Sequence, residues 1–298
     1  VDKPAICVFG EVLFDCFPDG RQVLGGAPFN VAWHLQAFGA APSFVSAVGD
    51  DPEGQQIRAS MADWGMVTTG LQTDPDHPTG RVQVSLENGE PSYDIVPDSA
   101  YDFIRTPSET APVALLYHGT LALRQPVSEA TLTSIKRSAP DLVFLDVNLR
   151  APWWSWDKTV ALVTDADWVK LNADELSLLS GAQAASARPT LELAQDFLER
   201  HDLSGLLVTL GSEGALGLSK GGDPIQVAPK PALNVIDTVG AGDAFAAVTI
   251  LGIVSGWSLD RTLDRAQSFA SRIVEQRGAT QASPDLYAPF VDQWGLAS

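Results

Sequence analysis

The chain has 298 residues, 45% of them hydrophobic and 8% aromatic, which suits a folded globular protein and excludes a disordered one. Its formal net charge of −18 at pH 7 opposes nucleic acid and anionic membrane surfaces, and no basic cluster offsets it. Two cysteines, Cys7 and Cys16, no basic leader ahead of a long apolar stretch, and no run as long as a membrane span together predict a cytoplasmic protein. Its cysteines are expected to be small buried hydrophobes in a reducing compartment.

Residues 5–9 form a short, apolar, β-rich run, the pattern of a buried strand. Residues 12–17 with 23–24 read as a hairpin. After Gly25-Gly26, residues 27–38 place Val31, Leu35 and Phe38 on one helical face that ends at Gly39. A strand over 44–48 and a helix over 52–64 follow. Residues 81–86 and 92–96 alternate about Glu87-Asn88-Gly89-Glu90, a second hairpin. The two hairpins are expected to form a discontinuous β lid from about 12–24 and 79–100. Strands at 115–118, 142–146, 168–171 and 206–210 then alternate with helices at 127–137, 157–164 and 191–200. The final third is mainly helical, over 244–255, 259–276 and 286–293. Strands alternating with helices predict an α/β fold with a mostly parallel sheet covered on both faces, here one domain spanning 1–298.

The most informative stretch is Asp-Thr-Val-Gly-Ala-Gly-Asp-Ala-Phe at 237–245, followed directly by an apolar helical run. Its glycines allow close backbone approach, and the helix start offers unpaired N–H groups and a positive dipole end to an anion. Asp243 in the first turn faces the same region, so the segment suggests phosphoryl transfer to a hydroxyl. Alternatively, Asp243 stabilises a helix N-terminus and nothing more. The acidic surface repels a nucleotide at long range, so such a site needs Mg²⁺ and local N–H donors.

Other motifs are weaker alone. Gly25, Gly26 and Asn30 open the first long helix, where an amide that both donates and accepts suits a polyhydroxylated ligand. Asp15 can take hydrogen bonds from two adjacent hydroxyls, or be a turn acid. Asn172 and Glu175 at i, i+3 fit either a metal site or a capping box. Thr209, Gly211 and Gly214 follow a strong strand. The Gly-x-x-Gly-x-x-Gly there is no dinucleotide fingerprint, because 215–218 continues as apolar strand. No Walker motif occurs, and the four histidines lack zinc spacing.

Taken in order, Gly25-Gly26 with Asn30, Asp146-Val147-Asn148-Leu149-Arg150, Asn172-Ala173-Asp174-Glu175, 209–214 and 237–245 resemble the ribokinase-like, or PfkB, family of ATP-dependent carbohydrate kinases. The resemblance implies a three-layer α/β/α fold with a mostly parallel central sheet and a small β-sheet lid. It makes Asp243 the base for the attacking hydroxyl and Gly240, Ala241 and Gly242 the anion hole; helix proximity is expected to keep Asp243 ionised. It assigns Asn172 and Glu175 to Mg²⁺, through water, and Asn172, Thr209, Gly211, Gly214, Gly240 and Gly242 to ATP. Gln267 stands where the family often has an asparagine near adenine, or is a solvent-facing helical glutamine. Asp237, Val239, Ile273, Gln276 and Gly278 match a K⁺ site built largely from carbonyls.

Residues 25–33, 117–124 and 146–150 look most like bacterial fructokinases. That implies D-fructose phosphorylated at the C6 hydroxyl, anchored by Asp15, Gly25, Gly26 and Asn30, with Gln83, His118 and Arg150 nearby. Ribose, 2-keto-3-deoxygluconate and nucleosides are the alternative substrates. A non-catalytic sugar-binding regulator is the alternative class, against which retention of Asp243 with Gly240 and Gly242 argues. An exposed lid edge predicts a homodimer.

Overall fold

The computed structural model describes residues 5–87, 90–107, 113–138, 140–181, 188–230 and 234–296. In chain order the first elements are β1 (Ile6–Phe9), β2 (Leu13–Cys16), β3 (Gln22–Gly25), α1 (Ala27–Ala37), β4 (Ser43–Gly49), α2 (Pro52–Asp63) and β5 (Leu71–Asp74). Then come β6 (Gly80–Glu87), β7 (Glu90–Ile95), β8 (Leu115–His118), α3 (Pro126–Lys136), β9 (Leu142–Asp146), α4 (Trp156–Thr164), β10 (Trp168–Asn172) and α5 (Ala173–Leu179). The last are α6 (Thr190–Arg200), β11 (Gly205–Thr209), β12 (Ala215–Ser219), β13 (Ile225–Val227), α7 (Ala241–Val254), α8 (Leu259–Ile273) and α9 (Pro284–Trp294).

Among the described residues one nine-stranded sheet runs β13-β12-β11-β10-β9-β8-β1-β4-β5. Its members pair in parallel from β5 to β11, and the β11–β12 and β12–β13 pairings are antiparallel, so that β12 alone is reversed. Side-chain alternation sets the layers. Ile6 and Val8 enter the core beneath α1, α2, α7, α8 and α9, whereas Cys7 and Phe9 join the opposite core beneath α3. Farther along the sheet, Leu145, Val169 and Val208 pack against α4, α5 and α6. Apolar residues on both faces of every central strand are what a sheet covered by helices on both sides requires.

A four-stranded sheet, β3-β2-β6-β7, stands apart from the large one. Each hairpin is antiparallel, and the two join through a parallel β2–β6 pairing that sets Asp15 opposite Val82. The expected hairpin turn falls on Asn88 and Gly89, which lie outside the described residues.

Strands β5 and β13 were not apparent from the sequence. Each is a short edge strand of the large sheet, and the neighbouring backbone, not its own apolar pattern, completes it. Helix α7 begins at Ala241, ahead of the apolar run, because Gly240 takes the left-handed conformation (φ 82°) at its N-cap. Both cysteines are free thiols; Cys7 is buried, its thiol pushed up to about 12 by desolvation, while Cys16 is half-buried. No described helix is long and apolar enough to cross a membrane.

Helices α1, α8 and α9 meet at an aromatic cluster centred on Phe269, whose ring lies 5.0 Å from Phe38, 5.1 Å from His34, 5.6 Å from Tyr287 and 5.3 Å from Phe290. Phe269 is fully buried. Phe269→Ala is expected to destabilise the fold by about 3–5 kcal/mol through lost transfer energy and a residual cavity. The urea midpoint measures this, and a shift equivalent to less than about 1 kcal/mol contradicts it.

Candidate active site

Parallel strands deliver their carboxyl ends to one edge of the sheet, where an open α/β architecture places its ligands. Glu11 follows β1, Arg150 follows β9, Asn172 ends β10 and Thr209 ends β11. Above them lie the N-termini of α1 and α7. Gly26 caps α1 at φ 110°, and a Cβ there would meet the Glu11 carbonyl oxygen at 2.7 Å. Gly240 caps α7, and a Cβ there would meet Ala279 Cα at 2.5 Å. No side chain caps α7; Ala241 N makes a long 3.4 Å contact to the Thr238 carbonyl, and the next N–H groups of the first turn are left for an anion.

Asn30 joins the two helices: its Nδ2 donates to Asp243 Oδ2 at 2.7 Å. Its Oδ1 is buried and has no hydrogen-bond partner among the described residues. Asp243 is pushed up to about 6, first by burial and then by Asp146, while Asn30, Lys170 and Arg150 pull the other way. Desolvation outweighs the helix end, although the carboxyl stays mostly ionised at neutral pH.

Beneath this loop lies a buried ion pair that the sequence motifs did not single out. Lys170 Nζ contacts Asp146 Oδ1 at 2.9 Å and Oδ2 at 2.8 Å, and Tyr117 donates to Oδ2 at 3.3 Å. Burial opposes the Lys170 charge, but Asp146, Asp243 and Glu175 raise its pKa above the ordinary lysine range. A Cβ on Gly242 would come within 3.4 Å of Lys170 Nζ, so the ammonium sits directly under the loop. A lone lysine inside the apolar strand Trp-Val-Lys-Leu was the available signal.

Glu11 was also missed. It is 4% exposed, its Oε2 has no hydrogen-bond partner among the described residues, and burial pushes it up to about 7. Asp15, half-buried on β2, is raised to about 6, again mainly by burial. Arg150 opposes these shifts at Glu11, Asp15 and Asp243 alike, so one exposed guanidinium serves three carboxyls. Gly25 lies beside Asp15, where an added Cβ would be 3.6 Å from Oδ2.

Two candidate sugar residues fall outside this group. Gln83 pairs opposite Cys16, one residue out of step with Asp15, so the pleat turns it to the other face of the lid. His118 is fully buried with Nδ1 2.9 Å from the Gly119 carbonyl oxygen, and the charge it feels is that of Lys136 on α3.

Of the residues expected to meet ATP, Asn172 and Thr209 are register partners at the ends of β10 and β11, and Gly211 and Gly214 flank the following turn. Asn172 Oδ1 accepts from Glu175 N at 2.8 Å, and Glu175 Oε2 accepts from Asn172 N at 2.9 Å, a complete capping box. Glu175 Oε1 accepts from Leu149 N at 2.7 Å, anchoring the loop that carries Arg150. Gln267 is 9% exposed with Nε2 3.5 Å from Ser271 Oγ, so the solvent-facing reading fails. Asp237 accepts from Val239 N at 3.0 Å and Gly278 N at 3.1 Å, and Ile236 N donates to the Val274 carbonyl at 2.8 Å. The segments bearing Asp237, Val239, Ile273, Gln276 and Gly278 thus lie side by side. No cluster of three or more His, Cys, Asp or Glu side chains able to hold a metal occurs among the described residues.

The family model described as pfkB family carbohydrate kinase matches residues 6–286. The fructokinase of Escherichia coli is 31% identical over 94% of this chain and 96% of its own length. The aminoimidazole riboside kinase of Salmonella typhimurium is 28% identical over 98% and 96%. Among solved structures, the fructokinase of Vibrio cholerae O395 with fructose, ADP and calcium ion superposes with a TM-score of 0.81 at 25% identity, covering 96% of this chain and 98% of that one. The three-layer ribokinase-like architecture with its smaller second sheet is therefore confirmed.

Because the Glu11 pKa is raised on folding, the native state holds its proton more tightly than the unfolded chain. Its stabilising contribution is complete below about pH 4.5 and lost as pH rises through about 7. Glu11→Gln is expected to remove that dependence. Its melting temperature should gain on the native protein more at pH 8 than at pH 5, reflecting about 3 kcal/mol. Equal differences at the two pH values contradict the assignment.

Proposed function

Because the chain belongs to the pfkB family of carbohydrate kinases, it is a phosphotransferase acting on a sugar hydroxyl, and we propose that it transfers the γ-phosphate of ATP to the C6 hydroxyl of D-fructose. The observation that carries this reading is Asn30. One end of its amide holds the Asp243 carboxylate, and the other end is a buried acceptor without a partner. A sugar hydroxyl bonded to Asn30 Oδ1 lies beside the base that takes its neighbour's proton. Asp15 on the lid and Arg150 across the cleft frame the remaining hydroxyls.

Asp243 accepts the proton of the attacking hydroxyl late, as a loose transition state requires, so a base near pKa 6 is strong enough. Main-chain N–H groups of Gly240, Ala241 and Gly242 meet the charge on the transferring phosphoryl group. Lys170, already neutralised by Asp146, adds a fixed dipole beneath them without trapping the product phosphate. ATP is favoured by the ADP in the Vibrio cholerae structure and by the open N-terminus of α7.

Asn172 and Glu175 would hold Mg²⁺, which when bound neutralises phosphate charge. Their engagement with main-chain N–H groups suits contact through water. K⁺ would sit among the carbonyls of Asp237, Val239, Ile273, Gln276 and Gly278. Similarity to an aminoimidazole riboside kinase keeps a riboside as the second reading.

Initial rates with MgATP over D-fructose, D-ribose, 2-keto-3-deoxygluconate and a nucleoside test the proposal. D-fructose is expected to give the highest kcat/KM, with NMR placing the phosphate at C6; preference for the nucleoside or ribose overturns it. Asp243→Asn should lower turnover roughly 10²–10⁴-fold, and near-normal turnover removes Asp243 from its role. In the native enzyme kcat/KM should fall below about pH 6 as Asp243 takes up a proton. A profile flat to pH 4.5 contradicts that.

A further inference from the structure

A second buried cation, Arg124, lies outside the machinery described so far, yet it grips both sides of the sugar cleft. Its side chain is 4% exposed. Nε donates to Asp102 Oδ1 at 2.6 Å, and Nη2 reaches Asp102 Oδ2 at 2.7 Å, the Val96 carbonyl at 2.7 Å and the Tyr101 hydroxyl at 3.0 Å. Its guanidinium also lies 4.6 Å from the centroid of the Trp153 ring.

These partners belong to two structural units. Val96 is the residue after lid strand β7 and still donates to the Arg81 carbonyl of β6 at 3.0 Å. Ile95, just before it, is register partner of Val82, which is register partner of Asp15. Arg124 therefore holds the lid one residue beyond the cross-strand row that carries Asp15. Trp153 belongs to the other unit: its N–H donates to the Arg150 carbonyl at 2.7 Å, closing the turn that presents Arg150 to the cleft. Asp102 fixes the guanidinium fork, and its second oxygen also accepts from Ser99 N at 3.0 Å, bracing the lid's return to the body.

We propose that Arg124 is a positioning residue for sugar binding, a clasp that fixes the stem of the lid to the Arg150–Trp153 turn. It thereby sets the separation between Asp15 and Arg150. The inference rests on the assignment of those two residues to the sugar site. Only a planar, multidentate cation does this, because the same group must bond a carboxylate and a carbonyl in its plane while stacking an indole on its face.

Arg124→Lys keeps the charge and removes the fork. Trp153→Leu keeps the fork and removes the stacked ring, leaving no buried charge unpaired, so it serves if the first variant folds poorly. For each, initial rates are measured with the sugar that the native enzyme turns over fastest. The KM for that sugar is expected to rise about tenfold, the loss of roughly one good hydrogen bond, with kcat and the KM for ATP little changed. Hydrogen exchange on the unliganded protein is expected to quicken together in 90–95 and 147–153. A lowered melting temperature with unchanged sugar KM reduces Arg124 to a stabilising ion pair and overturns the proposal, as does a parallel rise in both KM values. Should the native enzyme phosphorylate none of the four candidates, the sugar-site assignment fails separately. Exchange confined to one of the two segments then still refutes the clasp.

Discussion

Two helix N-termini are brought face to face, and an amide–carboxylate hydrogen bond, Asn30 to Asp243 at 2.7 Å, joins their first turns above the core that the two helices share. That bond is possible only because both helices start on glycines in conformations that bring their first turns against other backbone. Gly26 lies on the Glu11 carbonyl and Gly240 on Ala279. The same face of α1 secures the segment lying over Gly240. Trp33 Nε1 donates to the Gln281 carbonyl at 3.1 Å, and His34 Nδ1 lies 3.0 Å from the Tyr287 hydroxyl. Burial pushes His34 down to about 3, so this support carries no charge at any working pH. Helices α1 and α7 and the C-terminal segment are thus tied to one another by hydrogen bonds.

Electrostatics within the cleft follow from crowding. Glu11, Asp15 and Asp243 are all raised by burial, and Arg150 is the cation they share. The nearby Lys170 is already paired with Asp146, so it lends a dipole and little net charge. The cleft is under-neutralised before a ligand arrives. Hydroxyl donors satisfy these carboxyls without adding negative charge, whereas a bare anion near Asp15 meets repulsion. At the other end the N-terminus of α7 offers N–H groups and a positive dipole end that would compensate a phosphate.

Much of this was legible in the chain. Apolar strands alternating with amphipathic helices dictated a covered parallel sheet, and the Gly-Ala-Gly-Asp turn before an apolar helix marked the anion-binding end. Legibility failed where a residue's neighbours come from distant sequence. Lys170 reads as an oddity in a strand until Asp146 lies beside it. Gln83 and Asp15 look alike as polar lid residues, and only the β2–β6 register shows that they face opposite ways. His118 sits in a motif-rich stretch, but its strand turns it beneath α3. Strands β5 and β13 carry too little pattern to announce themselves and are completed by the sheet they join.

Local sequence by itself determined the class of fold, the order of layers and the segment proposed to meet phosphate, because periodicity and glycine placement act over a few residues. Tertiary structure decided which polar groups share the cleft, how far burial shifts their protons, and that Arg124 ties the lid to the Arg150 turn. Those depend on strand register and desolvation, which arise only when segments far apart in the chain are packed together.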